Sequence, residues 1–288
     1  MSPHNWPNQG YWLLARDVVF LDTSLPSVIQ TSSITIRGFE NIYLISCGTS
    51  DRLWVSDGSK YLLQLDSSGK VLGGLDAFSE FHTITDNGEL LFTDNKDVKK
   101  LESNGIITTI FSTDWMIRCI HSSRLNGNIL VGFSFIGFTG KVTRYDRTGE
   151  KILDIVTDIQ GVKLYKCTRY ITENKNGDIW TSDTDRVVVV DKSGKHRFNY
   201  RGQQSRVFEP GGICTDILGH VLVCDDSLIN PGVHLLDQDG WFLSMLLTRQ
   251  HNVHSPETVC VDEKHNLYLG QNGSNVIRVY KYLQVSEK

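Results

Sequence analysis

The chain has 288 residues, with 29 Lys plus Arg against 33 Asp plus Glu, a formal net charge of −4. That balance excludes a globally basic nucleic-acid binder and leaves only a local basic face for phosphate contacts. The length suits one large all-β unit that buries enough core to need no metal or disulfide staple, and no apolar run reaches membrane-spanning length.

In chain order, Met1 to Gln9 is polar and holds two prolines, Pro3 and Pro7. The apolar stretch Tyr11 to Ala15 is too short for a secretory core and runs straight into Arg16 and Asp17. We therefore expect a cytoplasmic protein with an extension over 1–26, one repeat domain over 27–282 and a tail over 283–288.

From residue 53 onward one pattern recurs. An apolar strand ending in Ser/Thr-Asp appears at Leu53–Asp57, Leu90–Asp94 and Ile179–Asp183, with Cys in place of Ser/Thr at Val221–Asp225. Drifted copies lie at Ile129–Phe133 and Leu267–Gln271. In five of the units a second strand and then an acidic-x-x-Gly quartet follow, at Asp66–Gly69, Glu102–Gly105, Asp146–Gly149, Asp191–Gly194 and Asp237–Gly240. An Asp side chain bonds backbone amides two residues on and Gly accepts positive φ, so each quartet reads as a tight hairpin turn. Asn87-Gly88, Asn126-Gly127 and Asn176-Gly177 mark further turns. Four short strands per roughly 40 residues is the size of a propeller blade. Five blades are complete and the sixth, from Thr258, lacks its outer strand, while the run Ser27 to Ser32 has no blade of its own. The pattern predicts an all-β, six-bladed propeller closed by this N-terminal strand, which removes a free sheet edge.

Phe208–Asp216 followed by Gly219–Asp225, and Gly177–Asp183 followed by Arg186–Asp191, resemble NHL repeats. Within that family the chain looks most like the C-terminal propeller of tripartite-motif proteins of the invertebrate type. The resemblance implies a non-catalytic platform that recognises the substrate of a ubiquitin ligase, with ligase chemistry in a RING that this sequence does not contain.

The repeated Asp57, Asp94, Asp183 and Asp225 are expected to bond backbone in their own loops. The six cysteines include repeat-equivalent positions in different blades, and are expected to be unbridged buried hydrophobes. No His spacing suggests a metal site, and no cofactor is expected. Loops joining second to third strands and blade to blade gather on one face. There Lys60, Tyr61, Lys96, Arg118, Phe135, Phe138, Arg186, Arg206 and Arg249 form the candidate partner-binding set. Arg and aromatic side chains suit a protein partner or unpaired bases of single-stranded RNA. Asp97, Asp185, Asp225 and Asp226 share the face and favour protein over RNA; DNA and membrane partners are not expected, and the sequence assigns no oligomeric state. A third reading is a calcium-dependent hydrolase of the lactonase type, with Asp225, Asp226 and Asn230, and Asn272 and Asn275 beside them, as the nearest thing to a ligand cluster.

Overall fold

The computed structural model describes residues 28–48, 51–76, 81–102, 104–135, 139–203 and 207–283. They form six four-stranded antiparallel sheets. Blade 6 takes its outer strand from the start of the chain, β1 (Ile29–Thr35). Blade 1 holds β2 (Leu44–Cys47), β3 (Arg52–Ser56), β4 (Tyr61–Asp66) and β5 (Val71–Asp76). Blade 2 holds β6 (His82–Ile84), β7 (Leu90–Asp94), β8 (Asp97–Leu101) and β9 (Ile107–Ser112). Blade 3 holds β10 (Ile117–Ser122), β11 (Ile129–Phe135), β12 (Thr139–Tyr145) and β13 (Lys151–Ile155). Blade 4 holds β14 (Tyr170–Glu173), β15 (Ile179–Ser182), β16 (Val187–Val190) and β17 (His196–Tyr200). Blade 5 holds β18 (Pro210–Thr215), β19 (Val221–Asp225), β20 (Gly232–Leu236) and β21 (Phe242–Leu247). Blade 6 is completed by β22 (Pro256–Val261), β23 (Asn266–Gln271) and β24 (Val276–Lys281). The molecule is therefore a six-bladed β-propeller.

Ring closure follows the sequence pattern. β1 pairs antiparallel with β24, from Ile29 opposite Lys281 to Thr35 opposite Val276. Val28 packs against the buried cluster of blades 5 and 6 that includes Tyr280 and Tyr282. An outer strand from one terminus and three inner strands from the other tie the two ends together, so neither is a free edge.

The turn quartets behave as their chemistry requires. Asp66 Oδ1 accepts from the amides of Ser68 and Lys70, and Gly69 sits at φ +88°. The repeated strand-ending aspartates are more varied than expected. Asp57 does cap its own loop, accepting from Ser59, Lys60 and Tyr61 amides. Asp183, however, accepts from Lys166 and Cys167 in the connection entering blade 4, and Asp94 pairs with Lys99 at 2.5 Å.

The expectation that repeat-equivalent cysteines are too far apart to bridge is wrong for one pair. Cys47 of β2 and Cys260 of β22 form a disulfide with Cα atoms 6.2 Å apart. The reason is geometric: innermost strands converge on the axis, and each touches the next around the ring. Equivalent positions of neighbouring blades are farthest apart at the rim and closest at the hub. Among the described residues the other four cysteines, Cys119, Cys167, Cys214 and Cys224, are free.

Candidate active site in blade 5

Two cavities stand out. One is axial, about 490 Å³, and is lined by all six innermost strands, with Arg124, Lys175, Asp216 and Asp262 around its mouth. The other, about 590 Å³, is off-axis and sits over the outer half of blade 5. Its walls come from three connections: the one entering blade 5 (Gln203, Val207, Phe208), the β19–β20 loop (Ser227 to Pro231) and the one leaving β21 (Thr248 to Gln250).

The floor of the off-axis pocket is built by strand ends. β19 delivers Asp225 at its last position, and the side chain is almost fully buried. Asp225 Oδ1 accepts from the amides of Glu209 and Ser227 at 3.1 and 3.0 Å, which locks the carboxylate and joins the entering connection to the loop. β20 is buried along its whole length, and His234 is its one polar side chain. Tyr200 ends β17 in the neighbouring blade. Its Oη lies 2.7 Å from His234 Nδ1, and His234 Nε2 lies 3.5 Å from Asp225 Oδ2. The rings of Tyr200, Phe208 and Phe242 surround the imidazole, with centroids 5.9, 5.4 and 5.7 Å away.

Physical chemistry assigns the protons. Burial raises the Asp225 carboxyl, but the His234 contact and the Glu209 and Ser227 amides outweigh it, so the group is held below the usual carboxylate range. Burial pushes the Tyr200 phenol well above its ordinary value, so it keeps its proton. A carboxylate facing Nε2 favours the tautomer with hydrogen on that nitrogen, leaving Nδ1 to accept from the Tyr200 hydroxyl. The result is a chain of phenol, imidazole and carboxylate whose last two members, Nε2–H and Oδ2, line the pocket.

The axial cavity holds its carboxylates differently: at the mouth Asp216 Oδ2 lies 2.8 Å from His220 Nδ1 and accepts from the Tyr282 hydroxyl at 2.9 Å. Its buried Glu173 is tied up by the Ser123 hydroxyl and by Arg144 Nη2 at 3.3 Å. Burial lifts its carboxyl above the usual range against both partners. At the opposite end, Tyr170 Oη donates to Glu257 at 2.6 Å.

No cluster of three carboxylates is available to a calcium ion among the described residues, nor any group of three or more His, Cys, Asp or Glu side chains that could hold a metal. Within the cluster named from sequence, Asp225 Oδ1 is committed to amides, Asp226 accepts from Ser255 at 2.5 Å, and Asn275 donates to the Ile36 carbonyl.

The residues expected to bind a partner have varied surroundings. Lys60 lies over the Tyr61 ring at 5.2 Å and pairs with Asp76. Lys96 is exposed on the next blade. Arg118 lies half-buried over Phe81 at 6.0 Å. Phe135 is 61% exposed and stacks at a tilt on Trp115, whereas Phe133 of the same segment is buried. Arg186 is folded inward, donating to the Leu164 carbonyl at 2.9 Å beside Asp183. Arg249 is exposed at the mouth of the off-axis pocket, where it donates to the Leu228 carbonyl at 2.6 Å. Phe138 and Arg206 lie outside the described residues. Sequence reasoning missed His234 and Tyr200. The one available signal was a histidine inside the otherwise apolar run Val233–Leu236, at a position where a blade strand is buried on both faces.

No protein-family model matches the chain, and no curated protein is similar to it in sequence. Solved structures do share the fold. A gluconolactonase from Xanthomonas campestris superposes with a TM-score of 0.64 at 13% identity, covering 87% of this chain and 89% of that one. A streptogramin B lyase gives 0.65 at 16% identity, covering 90% and 88%. A virginiamycin B lyase from Staphylococcus aureus gives 0.61 at 13% identity, covering 89% and 100%. At this identity the likeness establishes the six-bladed ring alone. These neighbours are enzymes, and they overturn the expectation of a non-catalytic tripartite-motif platform serving a ubiquitin ligase; neither a ligase-associated role nor RNA recognition finds support. No helix among the described residues is long and apolar enough to cross a membrane.

Proposed function

We propose that the chain is a propeller enzyme that cleaves an ester-type C–O bond, of the lactone or open-ester class, by acid–base chemistry in the blade 5 pocket. One observation carries this reading: an ionised carboxylate and an imidazole N–H, 3.5 Å apart, line a pocket with largely apolar walls. Such a pocket with a few convergent polar groups and a perturbed carboxyl is the arrangement expected of a small-molecule site. The sharing of the ring with a lactonase and with lyases agrees with it. The NHL-like repeat pattern is, in this reading, a property of the scaffold.

In the hydrolytic form, Asp225 takes a proton from a water as that water's oxygen adds to the ester carbonyl carbon. His234 Nε2–H donates to the carbonyl oxygen as it gains negative charge. Collapse of the adduct breaks the C–O bond, and the proton held by Asp225 passes to the leaving oxygen. Tyr200 is a positioning residue: its hydroxyl fixes the imidazole tautomer.

The test is turnover of a panel of chromogenic aryl esters and lactones. His234→Ala removes the donor to the developing oxyanion and is expected to lower kcat by about 10²–10³-fold. Tyr200→Phe leaves the carboxylate in place but frees the tautomer, and is expected to cost less, with the loss falling on kcat rather than KM. A wild-type protein inert to the whole panel, or a His234→Ala variant as active as wild type, would remove this function.

A further inference from the structure

Resting on that reading, we infer that the substrate is amphiphilic: an apolar body held against the inner walls of the blade 5 pocket and an anionic group held at its mouth by Arg249. The pocket sorts its chemistry by depth. Around His234 the side chains are Phe208, Phe242 and Met245, which offer area and no charge. Among the described residues, the only charged side chains lining the pocket are Asp225 and Arg249. Asp225 belongs to the reacting edge and is buried, whereas Arg249 is exposed at the rim. A substrate anion is repelled by the carboxylate at the floor and attracted by the guanidinium at the entrance, so the pocket fixes direction as well as class.

Arg249 is preset for this contact. One Nη2 bond at 2.6 Å goes to the Leu228 carbonyl, which ties the β19–β20 loop to the rim. A guanidinium carries five N–H donors in a planar fork, so this single bond leaves donors for a carboxylate. The short 3-10 turn Arg249–His251, closed by Thr248 and His251, keeps the side chain at the rim. The tied loop carries the exposed Leu228 and Ile229, at 88% and 59%, and Ile229 lines the pocket together with Val207, also 59% exposed. Apolar side chains so placed extend the inner walls outward past the rim, and suit a substrate whose body is longer than the cavity is deep.

The experiment uses two uncleavable probes, 4-phenylbutyrate and 4-phenylbutan-1-ol, titrated calorimetrically into the full chain. They share the apolar body and differ in the terminal charge. The carboxylate is expected to bind about tenfold more tightly than the alcohol at low salt, where a charge-assisted pair at the rim is least screened. Arg249→Gln removes that difference, whereas Phe242→Leu weakens both probes together and keeps it. Each variant's melting temperature is checked against wild type, and Arg249→Lys serves as a second variant that keeps the charge without the fork. Equal affinity for the two probes, a preference surviving Arg249→Gln, or no saturable binding of either overturns the inference. Because the probes are not turned over, the two proposals fail separately. Binding as expected without esterase activity removes the catalytic reading alone, and activity without a carboxylate preference removes this inference alone.

Discussion

His234 keeps a proton on the nitrogen facing Asp225 because its other nitrogen is already served by Tyr200, 2.7 Å away. A second buried histidine shows the opposite arrangement. His82, at the start of β6, is 1% exposed, and burial pushes its pKa down to about 3, only weakly opposed by the Leu44 backbone. The unfolded chain therefore binds a proton between pH 6.5 and about 3 that the folded chain refuses. Its contribution to stability is complete above pH 6.5 and falls as the solution is acidified, by about 1.4 kcal/mol per pH unit. Between pH 7 and 5 the wild type should lose about 2 kcal/mol more than His82→Gln in urea titrations. Equal pH dependence of the two would show that the imidazole is not the group responsible.

Element by element, what the sequence made legible is local. The acidic-x-x-Gly quartets announce their turns because the capping carboxylate and the positive-φ glycine are three residues apart, as at Asp146 and Gly149. Ring closure was readable because a strand-forming run at residues 27–32 had no partner in its own neighbourhood. Contacts between blades were not readable. Asp225, His234 and Tyr200 come from three strands, and nothing in their spacing marks them as neighbours. Cys47 and Cys260 are 213 residues apart and meet only because the ring closes. The same convergence gives Gly212 its meaning. A Cβ there would lie 2.7 Å from Thr258 Cα and 2.8 Å from the Glu257 carbonyl oxygen, so β18 and β22 approach backbone to backbone. Neither neighbour is a side chain that can swing away. Gly212→Ala is thus expected to cost about 1–3 kcal/mol or more by overpacking. Denaturant midpoints test this, and a midpoint equal to wild type would mean that the seam is looser than the distances imply.

At the scale of the whole molecule, the Cys47–Cys260 bridge and the β1–β24 pairing close the same seam, one at the hub and one at the rim. A disulfide spanning so long a loop typically adds about 2–4 kcal/mol. Reduction, or Cys47→Ser with Cys260→Ser, should lower the melting temperature while the β1 pairing keeps the ring shut and the circular dichroism spectrum unchanged. Loss of the β spectrum on reduction would mean that the bridge, and not the borrowed strand, holds the ring. Function poses a choice between cavities, since the axial one is lined by every blade and the off-axis one by the chemistry of blade 5. The decisive measurement is kcat/KM on the best ester or lactone of the panel for Asp225→Asn beside Arg124→Gln and Lys175→Gln at the axial mouth. Catalysis in the blade 5 pocket requires a loss of about 10²–10⁴-fold for Asp225→Asn and wild-type rates for the other two. Full activity in Asp225→Asn, with loss in the axial variants, would contradict it.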